Sequence, residues 1–590
     1  MSPSLTTAAR SLQLALHHEI HAGHLKNRRH SPKLPKMRAV PVVLLLFLVP
    51  CSICGEDGLV VSTTYGDVRG FELKNVRGFF GIPYARPPLG DLRFKEPLTP
   101  SSWTGVRDAT KFGADCPQKA WFLMSIFNRT HQISEDCLYL NVYSPKKPAG
   151  SGSYPVLVVI HGGSYRRGSG REYDGAVLAE RGTVVVTLNY RLGALGWLST
   201  EDESSLGNFG LLDQIEALKW VQTNIKRFGG DPNRVTIMGC AAGASSAALH
   251  LTSVYSAGLF HGMILSSGSL VNPWTVLLPP YRPYDHAADL AEKLGCPTEP
   301  TEDLVNCLRQ KTAEELVETS VEGPPMISVW APVIDGPGGV IPDSPRKLLA
   351  EGAFSKVPLM MGTASKEMSY IFADVKGIDF GVSSDMVEEM RSRWVERYPY
   401  PARKYIKDII SFEYTDFKNI NDPASLRDNY IKFKTDYGYH SPMLHQANVH
   451  SSSGAPTWVY VFDYRSENNP RPEWMGTMQA DDQVFIFGPG TLMLNDRFRL
   501  TDRDREVSDM MRTFVTNFVR FGNPSPQGQL VEWKMFQGDR QSYLQVKRPG
   551  KTRMRDYFKT KVTALWTSYV PEIVRRVFNE DDINPFGGSV

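Results

Sequence analysis

The sequence Gly239-Cys240-Ala241-Ala242-Gly243 has the spacing of a nucleophile elbow, the G-x-S-x-G turn whose serine begins acyl transfer. Residues 234–238 predict a short buried strand before it, and residues 242–251 predict an alanine-rich helix after it. Such a turn lifts the central side chain clear of the backbone. Here that side chain is the methyl group of Ala241, which has no lone pair and no proton to give up. We therefore expect no acyl-enzyme chemistry at this position.

A second motif of acyl-transfer chemistry is His161-Gly162-Gly163-Ser164, which follows an apolar run ending at Ile160. A glycine pair in this place turns backbone N–H groups toward a developing oxyanion. The alternative is an ordinary turn from a strand into a loop. Because the elbow motif follows about 80 residues later, we interpret Gly162 and Gly163 as a vestigial oxyanion loop.

Three other nucleophilic side chains lie near the elbow, namely Cys240, Ser245 and Ser246. Cys240 precedes the raised position, so we expect its side chain to point away from the site. The two serines lie on the following helix, where packing or capping accounts for them. We therefore expect none of the three to replace the missing serine.

Strands and helices alternate around these motifs. Near-continuous apolar runs at 154–160 and 183–189 predict central strands that are buried on both faces. Residues 211–228 have helical periodicity, and Gly229-Gly230 follows as a stop signal. This order predicts a wound α/β sheet with right-handed crossovers.

Three further elements extend this α/β pattern. Residues 60–69 alternate as in an antiparallel edge hairpin, residues 457–462 predict another strand, and a last long helix runs from about 559 to 579. No linker, repeat or low-complexity run divides the body of the chain. We therefore predict a single domain with a large, mostly parallel central sheet flanked by helices.

The chain has 590 residues, of which 42% are hydrophobic and 22% are charged, as in an ordinary globular protein. The net charge of +3 hides an asymmetry, because residues 1–38 contribute +6 and the remainder carries −3. A mildly acidic body gives no electrostatic reason to expect nucleic acid as a partner.

An apolar run of roughly ten residues at 40–49 resembles the core of a signal peptide and is too short to span a bilayer. We predict an upstream extension at 1–36, a signal peptide at 37–54, the folded domain at 55–580 and a tail at 581–590. The alternative is an uncleaved anchor. No second apolar run of membrane-spanning length follows, so the sequence predicts a secreted or extracellular protein.

The cysteine spacing fits a secreted protein, because the four cysteines that follow the signal peptide, apart from Cys240, form two short-loop pairs. The predicted disulfides are Cys116–Cys137 and Cys296–Cys307. Cys240 is left over and is expected to be buried and unpaired. The alternative is a set of free thiols in a cytosolic protein. Asn128-Arg129-Thr130 is an N-glycosylation sequon, and it lies within the first disulfide loop.

Four strings in the chain resemble the carboxylesterase/cholinesterase family over about residues 57–580. They are Phe80-Gly-Ile-Pro-Tyr-Ala-Arg-Pro-Pro-Leu-Gly90, Glu135-Asp-Cys-Leu-Tyr-Leu-Asn-Val142, Asn189-Tyr-Arg-Leu-Gly193 and Phe228-Gly-Gly-Asp-Pro232. The resemblance implies an α/β-hydrolase fold with a serine, glutamate and histidine triad in that order along the chain.

Carried over to this chain, the triad positions are Ala241, Glu367 and Gln479. Glutamine cannot exchange a proton near neutral pH, since only imidazole titrates there unperturbed. The remaining histidines after Glu367 are His440, His445 and His450, and all three precede the predicted strand at 457–462. None lies in the loop that should deliver the base, so we predict a chain that is not an enzyme.

Within the family, several strings are similar to the neuroligins. They include His161-Gly-Gly-Ser-Tyr165, Gly207-Asn-Phe-Gly-Leu-Leu-Asp-Gln214 and Arg553-Met-Arg-Asp-Tyr-Phe-Lys-Thr-Lys-Val562. The resemblance implies an adhesion or signalling ectodomain at a cell junction that binds neurexin, with calcium at the interface, and forms a homodimer through a bundle containing the last helix. It implies no cofactor and no metal site within the chain itself.

Some features depart from the neuroligin pattern. Neuroligins tend to keep a histidine where this chain has Gln479, no cysteine follows Cys307, and the chain ends before a stalk or membrane helix. Two alternatives therefore accompany the adhesion hypothesis. One is a secreted, esterase-like protein whose emptied gorge binds a small apolar ligand, and the other is residual carboxylesterase activity.

Overall fold

The computed structural model describes residues 59–119, 132–147, 150, 152–323, 328–373, 375–489, 499–526 and 531–577. The predicted extension, signal peptide, Asn128 and tail lie outside these ranges. All of the described residues belong to one compact unit.

The described part contains fourteen strands. They are β1 (Val60–Ser62), β2 (Asp67–Arg69), β3 (Phe71–Leu73), β4 (Val76–Pro83), β5 (Val106–Asp108), β6 (Tyr139–Pro145), β7 (Tyr154–Ile160), β8 (Val184–Leu188), β9 (Gly230–Cys240), β10 (Gly262–Ser266), β11 (Leu359–Ala364), β12 (Thr457–Phe462), β13 (Tyr543–Val546) and β14 (Arg553–Arg555).

Eleven of these strands form the central sheet, in the order β14-β13-β12-β11-β10-β9-β7-β8-β6-β4-β3. The strands from β13 to β8 pair in parallel. Antiparallel strands close both ends of the sheet. The sheet is therefore mixed, with a parallel centre, as the α/β prediction required.

The edge hairpin predicted at residues 60–69 forms, but it is not on this sheet. Strands β1 and β2 pair antiparallel, and β5 adds in parallel to make a separate three-stranded sheet. The antiparallel hairpin is confirmed, whereas the sheet it joins was not predicted, because alternating polarity identifies a half-buried strand but not the strand it pairs with.

The central strands divide their side chains between two hydrophobic cores. Along β7, Val156, Val158 and Ile160 belong to one core, whereas Leu157 and Val159 belong to the other. Successive residues of a strand face opposite sides of the sheet, so a strand that is covered on both sides needs an unbroken apolar run.

The helices of the described part cover both faces of the sheet and its carboxyl edge. They are α1 (Ala176–Ala179), α2 (Gly193–Trp197), α3 (Phe209–Asn224), α4 (Ala242–His250), α5 (Pro283–Lys293), α6 (Thr301–Gln310), α7 (Ala313–Glu318), α8 (Pro345–Ala350), α9 (Ser384–Val395), α10 (Tyr400–Glu413), α11 (Pro423–Thr435), α12 (Ser441–Ser452), α13 (Asp481–Phe487), α14 (Asp502–Phe521), α15 (Thr560–Ala564) and α16 (Val570–Val577).

Helix boundaries follow the predicted stop signals closely. Helix α3 continues as a 3-10 turn at Ile225–Phe228, and Gly229 then adopts a left-handed φ of 82°. A π-helical turn at Leu565–Tyr569 joins α15 to α16, so the predicted last helix is present as far as Val577.

A third hydrophobic core lies among α9, α10, α11 and the last helix. Trp394 of α9 and Trp566 of the π-helical turn are at its centre, with ring centroids 5.8 Å apart. This packing fixes the last helix against the body of the domain, because aromatic side chains bury large apolar areas.

Both predicted disulfides are confirmed. The Cα atoms of Cys116 and Cys137 are 5.0 Å apart and those of Cys296 and Cys307 are 5.7 Å apart, which are ordinary separations for bonded cysteines. Cys240 is buried and free, also as predicted. None of the helices in the described ranges is long and apolar enough to cross a membrane.

Candidate functional site

The elbow forms where the sequence predicts it, between the end of β9 and the start of α4. Ala241 has φ 53° and ψ −121°, a conformation that costs a non-glycine residue about 1–3 kcal/mol. Its N–H donates to the Ser266 carbonyl at 2.9 Å, and its carbonyl accepts from the Ser245 N–H at 3.0 Å. Ala241 is partly exposed, whereas Cys240 and Ala242 are buried. The turn therefore presents a single methyl group to the site.

The loop at Gly162 and Gly163 packs directly on the elbow. A Cβ atom at Gly162 would lie 2.5 Å from the Cys240 carbonyl oxygen and 3.4 Å from the Ala241 Cβ. A Cβ atom at Gly243 would overlap the carbonyl oxygen of Ile160. Because no side chain fits at this contact, the two segments approach as closely as backbones allow. The chain thus brings Gly162 and Ala241 together.

Glu367 lies at the start of the turn after β11 and is fully buried. Its Oε1 accepts hydrogen bonds from Ser267 Oγ at 2.7 Å, Thr363 Oγ1 at 2.7 Å and the Ala364 N–H at 2.6 Å. Its Oε2 has no hydrogen-bonding partner among the described residues. Burial raises the pKa of Glu367 from 4.5 to about 7, against the lowering effect of the three hydrogen bonds.

Gln479 reaches the same place from the loop before α13. Its backbone N–H donates to the Glu367 carbonyl at 3.2 Å, and its side-chain Nε2 donates to Tyr439 Oη at 3.0 Å. The structure therefore places Gln479 beside Glu367. An amide group there can donate a hydrogen bond but cannot accept and return a proton near pH 7.

Of the three histidines after Glu367, His440 and His450 are held by other partners. In His440, Nδ1 lies 3.0 Å from Asp436 Oδ1 and Nε2 lies 3.0 Å from the Ala364 carbonyl oxygen. In His450, Nδ1 lies 2.9 Å from Thr457 Oγ1. Burial lowers the pKa of both His445 and His450 to about 4. Neither nitrogen of His440 is left to serve Ala241.

The other nucleophiles near the elbow lie in packed surroundings. Burial raises the pKa of the Cys240 thiol well above its usual range, and the nearby charges of Asp482 and Glu367 add to the effect. A buried thiol with a raised pKa is inert. Ser245 Oγ donates to the Ser269 carbonyl at 3.0 Å. Ser246 is fully buried on α4.

Sequence reasoning missed Asp482, which lies beneath the elbow. Its Oδ2 accepts from Ser266 Oγ at 2.7 Å and from Tyr460 Oη at 2.6 Å. These partners come from β10 and β12, so only the sheet brings them together. The signal in the sequence was an acidic pair, Asp481 and Asp482, directly before the apolar run of α13. Buried carboxylates need hydrogen-bonding partners, and this pair precedes a segment that must be buried.

Comparison with known proteins agrees with this geometry. Residues 57–566 match the model of the carboxylesterase family. Mouse neuroligin-3 is 35% identical over 575 residues, which cover 87% of this chain and 69% of that protein. Mouse neuroligin-2 is 36% identical over 579 residues, covering 88% and 68% respectively. Human neuroligin-3 is 34% identical over 595 residues, covering 87% and 69%.

The chain is a neuroligin-like member of the carboxylesterase family. The family assignment made from the sequence strings is therefore confirmed, and so is the α/β-hydrolase fold as a single domain. In this neuroligin-like chain, the three positions carried over from the family triad lie on one side of the sheet, at the carboxyl ends of β9 and β11 and in the loop after β12. Their roles stay predictions, as do those of Gly162 and Gly163.

Proposed function

We propose that this protein is a non-catalytic, cholinesterase-like adhesion or signalling ectodomain. The observation that carries the proposal is the methyl group of Ala241 at an elbow whose strand, turn and helix are otherwise complete. Acyl transfer needs a nucleophile with a base beside it. At this site the nucleophile is replaced by a methyl group and the base by the amide of Gln479.

The proposed loss affects only the nucleophile and the base, whereas the rest of the fold is retained. This supports a function that uses the folded domain without catalysis. The close contact of Gly162 with the elbow and the three hydrogen bonds to Glu367 are those of an intact site. A folded scaffold without its chemistry is suited to act through its surface, as the neuroligin relatives suggest. We propose a neurexin-like cell-surface partner, with calcium at the interface.

Binding of a purified neurexin ectodomain, measured by biolayer interferometry with calcium and with EDTA, tests the partner. We expect saturable binding that EDTA abolishes. The matched control is Ala241→Ser, which changes the elbow alone and is expected to bind equally well. Absence of binding by the folded protein would contradict the proposed partner. Enzyme-like hydrolysis of p-nitrophenyl acetate by the unmodified protein would contradict the non-catalytic assignment.

We propose that the protein forms a homodimer through α10 and the last helix. Tyr405 and Phe412, seven residues apart on α10, are 55% and 71% exposed, and Tyr569 of the last helix is 57% exposed. The two elements are neighbours, since Lys561 Nζ lies 2.7 Å from Glu413 Oε2. Exposed aromatic side chains on adjoining helices are typical of a surface that a partner covers.

Measuring the oligomeric state of variants tests whether this surface forms the dimer. We expect a dimer by light scattering for the unmodified protein and a monomer for Phe412→Asp combined with Tyr405→Asp. Val254, which is 72% exposed elsewhere on the domain, gives a matched control as Val254→Asp, and this variant should remain dimeric. A dimer that persists in the double variant would place the interface elsewhere.

We propose that the domain is extracellular, because its two disulfides are typical of oxidising compartments. The predicted glycan at Asn128 gives a direct test in secreted material from mammalian cells. Treatment with an N-glycosidase should lower the apparent mass of the unmodified protein and leave Asn128→Gln unchanged. A protein found only in the cytosol with reduced cysteines would contradict the localisation.

A further inference from the structure

A group of three charged side chains lies where the last helix meets the body of the domain. A π-helical turn at Asp436–His440 joins α11 to α12 and carries two of them. Lys559, the residue directly before α15, supplies the third. Asp436 and His440 are 0% and 1% exposed, so neighbouring atoms have to satisfy their charges and hydrogen bonds.

Both ring nitrogens of His440 face hydrogen-bond acceptors. Nδ1 lies 3.0 Å from Asp436 Oδ1, and Nε2 lies 3.0 Å from the Ala364 carbonyl oxygen. A neutral imidazole has one N–H and one lone pair, so either neutral tautomer would set a lone pair against one of these oxygens. Only the doubly protonated ring can donate to both, and this geometry indicates that His440 is a buried cation.

Asp436 is shared by two cations. Its Oδ1 lies 3.0 Å from His440 Nδ1 and 3.0 Å from Lys559 Nζ, and its Oδ2 lies 3.3 Å from the same Nζ. Burial acts to raise the pKa of Asp436, but the hydrogen bond and charge of His440, together with Lys559, hold that pKa below its usual range. The carboxylate is therefore ionised, and it links the π-helical turn to the start of the last helix.

Lys559 determines how the chain enters the last helix. Its φ of 54° lies in the left-handed region, which residues with a side chain seldom adopt, and its carbonyl accepts from the Thr563 N–H at 2.8 Å. A cation at the N-terminus of a helix is opposed by the helix dipole, so Lys559 depends on Asp436. Phe558 packs edge-to-face on the His440 ring, with centroids 4.9 Å apart. His440 therefore contacts the start of the last helix through both Asp436 and Phe558.

On its other side, His440 is bonded to the strand that leads to Glu367. Ala364 is the last residue of β11, and while its carbonyl accepts from His440 Nε2, its N–H donates to Glu367 Oε1 at 2.6 Å. If the ring lost one proton, either this carbonyl or the Asp436 carboxylate would face a lone pair in a buried place. The connection from the last helix to β11 would then break at His440.

Two further titratable groups border this network. Glu367, on the β11 side, has its pKa raised by burial to about 7, so it titrates in the same range as a histidine. Tyr414, the residue after α10, interacts with Asp436, and burial together with that carboxylate raises the pKa of Tyr414 above its usual range. Tyr414 therefore keeps its proton near neutral pH. Of these two groups, only Glu367 could imitate a pH dependence that comes from His440.

We propose that Asp436, His440 and Lys559 form a proton-dependent latch that holds the last helix against the domain. The latch is closed while His440 carries both ring protons, and it opens as the pH rises, because the closed form binds the second proton more tightly than the open form. Tyr569 of the last helix belongs to the proposed dimer surface, so the latch sets how firmly that surface is held. The latch does not require the dimer, since all of its contacts lie within one chain.

Hydrogen–deuterium exchange of the full chain, followed by mass spectrometry of peptides covering residues 558–577, tests the latch between about pH 5 and 8. Labelling times are scaled to the intrinsic exchange rate at each pH. In the unmodified protein we expect the opening equilibrium of the last helix to rise by about tenfold or more over this range, as for loss of one hydrogen bond to a charged group. In His440→Gln the equilibrium should already be high at low pH and should not change with pH. A pH-independent equilibrium in the unmodified protein, or a dependence that persists in His440→Gln, would overturn the proposal.

Three variants distinguish the latch from other sources of the same behaviour. Lys559→Gln removes a cation that competes for Asp436, so the midpoint of the pH dependence should move to higher pH, and an unchanged midpoint would contradict the latch. Glu367→Gln should retain the dependence, whereas its loss would assign the effect to Glu367 and overturn the proposal. His261→Gln is the matched control and should leave the midpoint unchanged, because His261 Nδ1 accepts from the Val235 N–H at 3.3 Å and carries no proton there.

The variant that combines Phe412→Asp with Tyr405→Asp separates the latch from the proposed dimer. Its last helix should show the same midpoint as the unmodified protein. A pH dependence that disappears in this variant would assign the effect to the interface between two chains and overturn the latch. If the unmodified protein is itself monomeric, the proposed dimer is contradicted, and the exchange measurements on the single chain still decide the latch.

Discussion

On the proposal that Ala241 and Gln479 occupy the positions of a catalytic serine and histidine, introducing both residues should give acyl transfer. We predict that Ala241→Ser together with Gln479→His hydrolyses a small activated ester, whereas either change alone gives almost nothing. In enzymes with such a triad, loss of the nucleophile or of the base alone costs about as much as loss of all three members. The two substitutions therefore have to be made together.

The surroundings of both positions fit the restored groups. Ala241 already has the backbone conformation of an elbow nucleophile, with φ 53°, so a serine there adds one hydroxyl group and no new backbone strain. Glu367 Oε2 is buried without a partner, and an imidazole N–H from position 479 would give it one. An unsatisfied buried acceptor costs about 1–3 kcal/mol, which favours the orientation a catalytic base requires.

We expect kcat/KM of the double variant to exceed that of either single variant by about 10²–10³-fold, or about 3–4 kcal/mol of transition-state stabilisation. The assay is p-nitrophenyl acetate hydrolysis, with a fluorophosphonate probe to label the introduced serine and mass spectrometry to locate the label. Adding Glu367→Gln to the double variant keeps the shape but removes the charge, and it should reduce the rate again.

A well-folded double variant that neither turns over ester nor accepts the probe would refute this reasoning. It would mean that Gln479 or Glu367 does not occupy the position of the family residue, despite the 3.2 Å hydrogen bond between their backbones. Folding is checked independently by near-UV circular dichroism and by the thermal midpoint. Activity in Ala241→Ser alone would also refute the reasoning that both substitutions are needed, since that activity would require a base other than the residue at position 479.

Three further predictions concern stability. The pKa of Glu367 is raised from 4.5 to about 7, so its protonated form stabilises the fold fully below about pH 4.5, and about 3 kcal/mol is lost as the pH rises to 7. Glu367→Gln should flatten this part of the pH profile in urea titrations, and an unchanged slope would contradict the raised pKa. Gly243→Ala should cost about 1–3 kcal/mol by overpacking against Ile160, while Gly152→Ala, in open space, should be neutral. Replacing Cys296 and Cys307 by serine should cost about 3 kcal/mol in denaturant unfolding for an 11-residue separation, and no loss would mean that the unfolded chain is not constrained by this bond.

Local patterns in the sequence were enough to predict the elements of the elbow. An apolar run, two flanking glycines and an alanine-rich stretch identify strand, turn and helix, because each signal acts over a few residues. The identity of Ala241 decides the chemistry by itself, since a methyl group has no reactive atom in any fold. The two disulfide pairs could also be predicted from the sequence, because each closes a short loop.

The hydrogen-bonding partners of each site residue could be identified only from the tertiary structure. Ser266 and Asp482 are separated by 216 positions and Glu367 and Ser267 by 100, yet both pairs form hydrogen bonds of 2.7 Å. Pairing of the central strands decides these contacts, and a strand's own pattern does not say which strand lies next to it. For the same reason, the sequence did not indicate that the hairpin at residues 60–69 forms a separate sheet with β5.

The sequence by itself determined that position 241 carries a methyl group and position 479 an amide, because side-chain chemistry is a property of one residue at a time. The tertiary structure alone decided what surrounds these two residues. It buries Glu367 with one oxygen unsatisfied, and it brings Asp482 into hydrogen-bonding distance of Ser266 and Tyr460. Burial and electrostatic environment depend on neighbours distant in the chain, so no local pattern contains them.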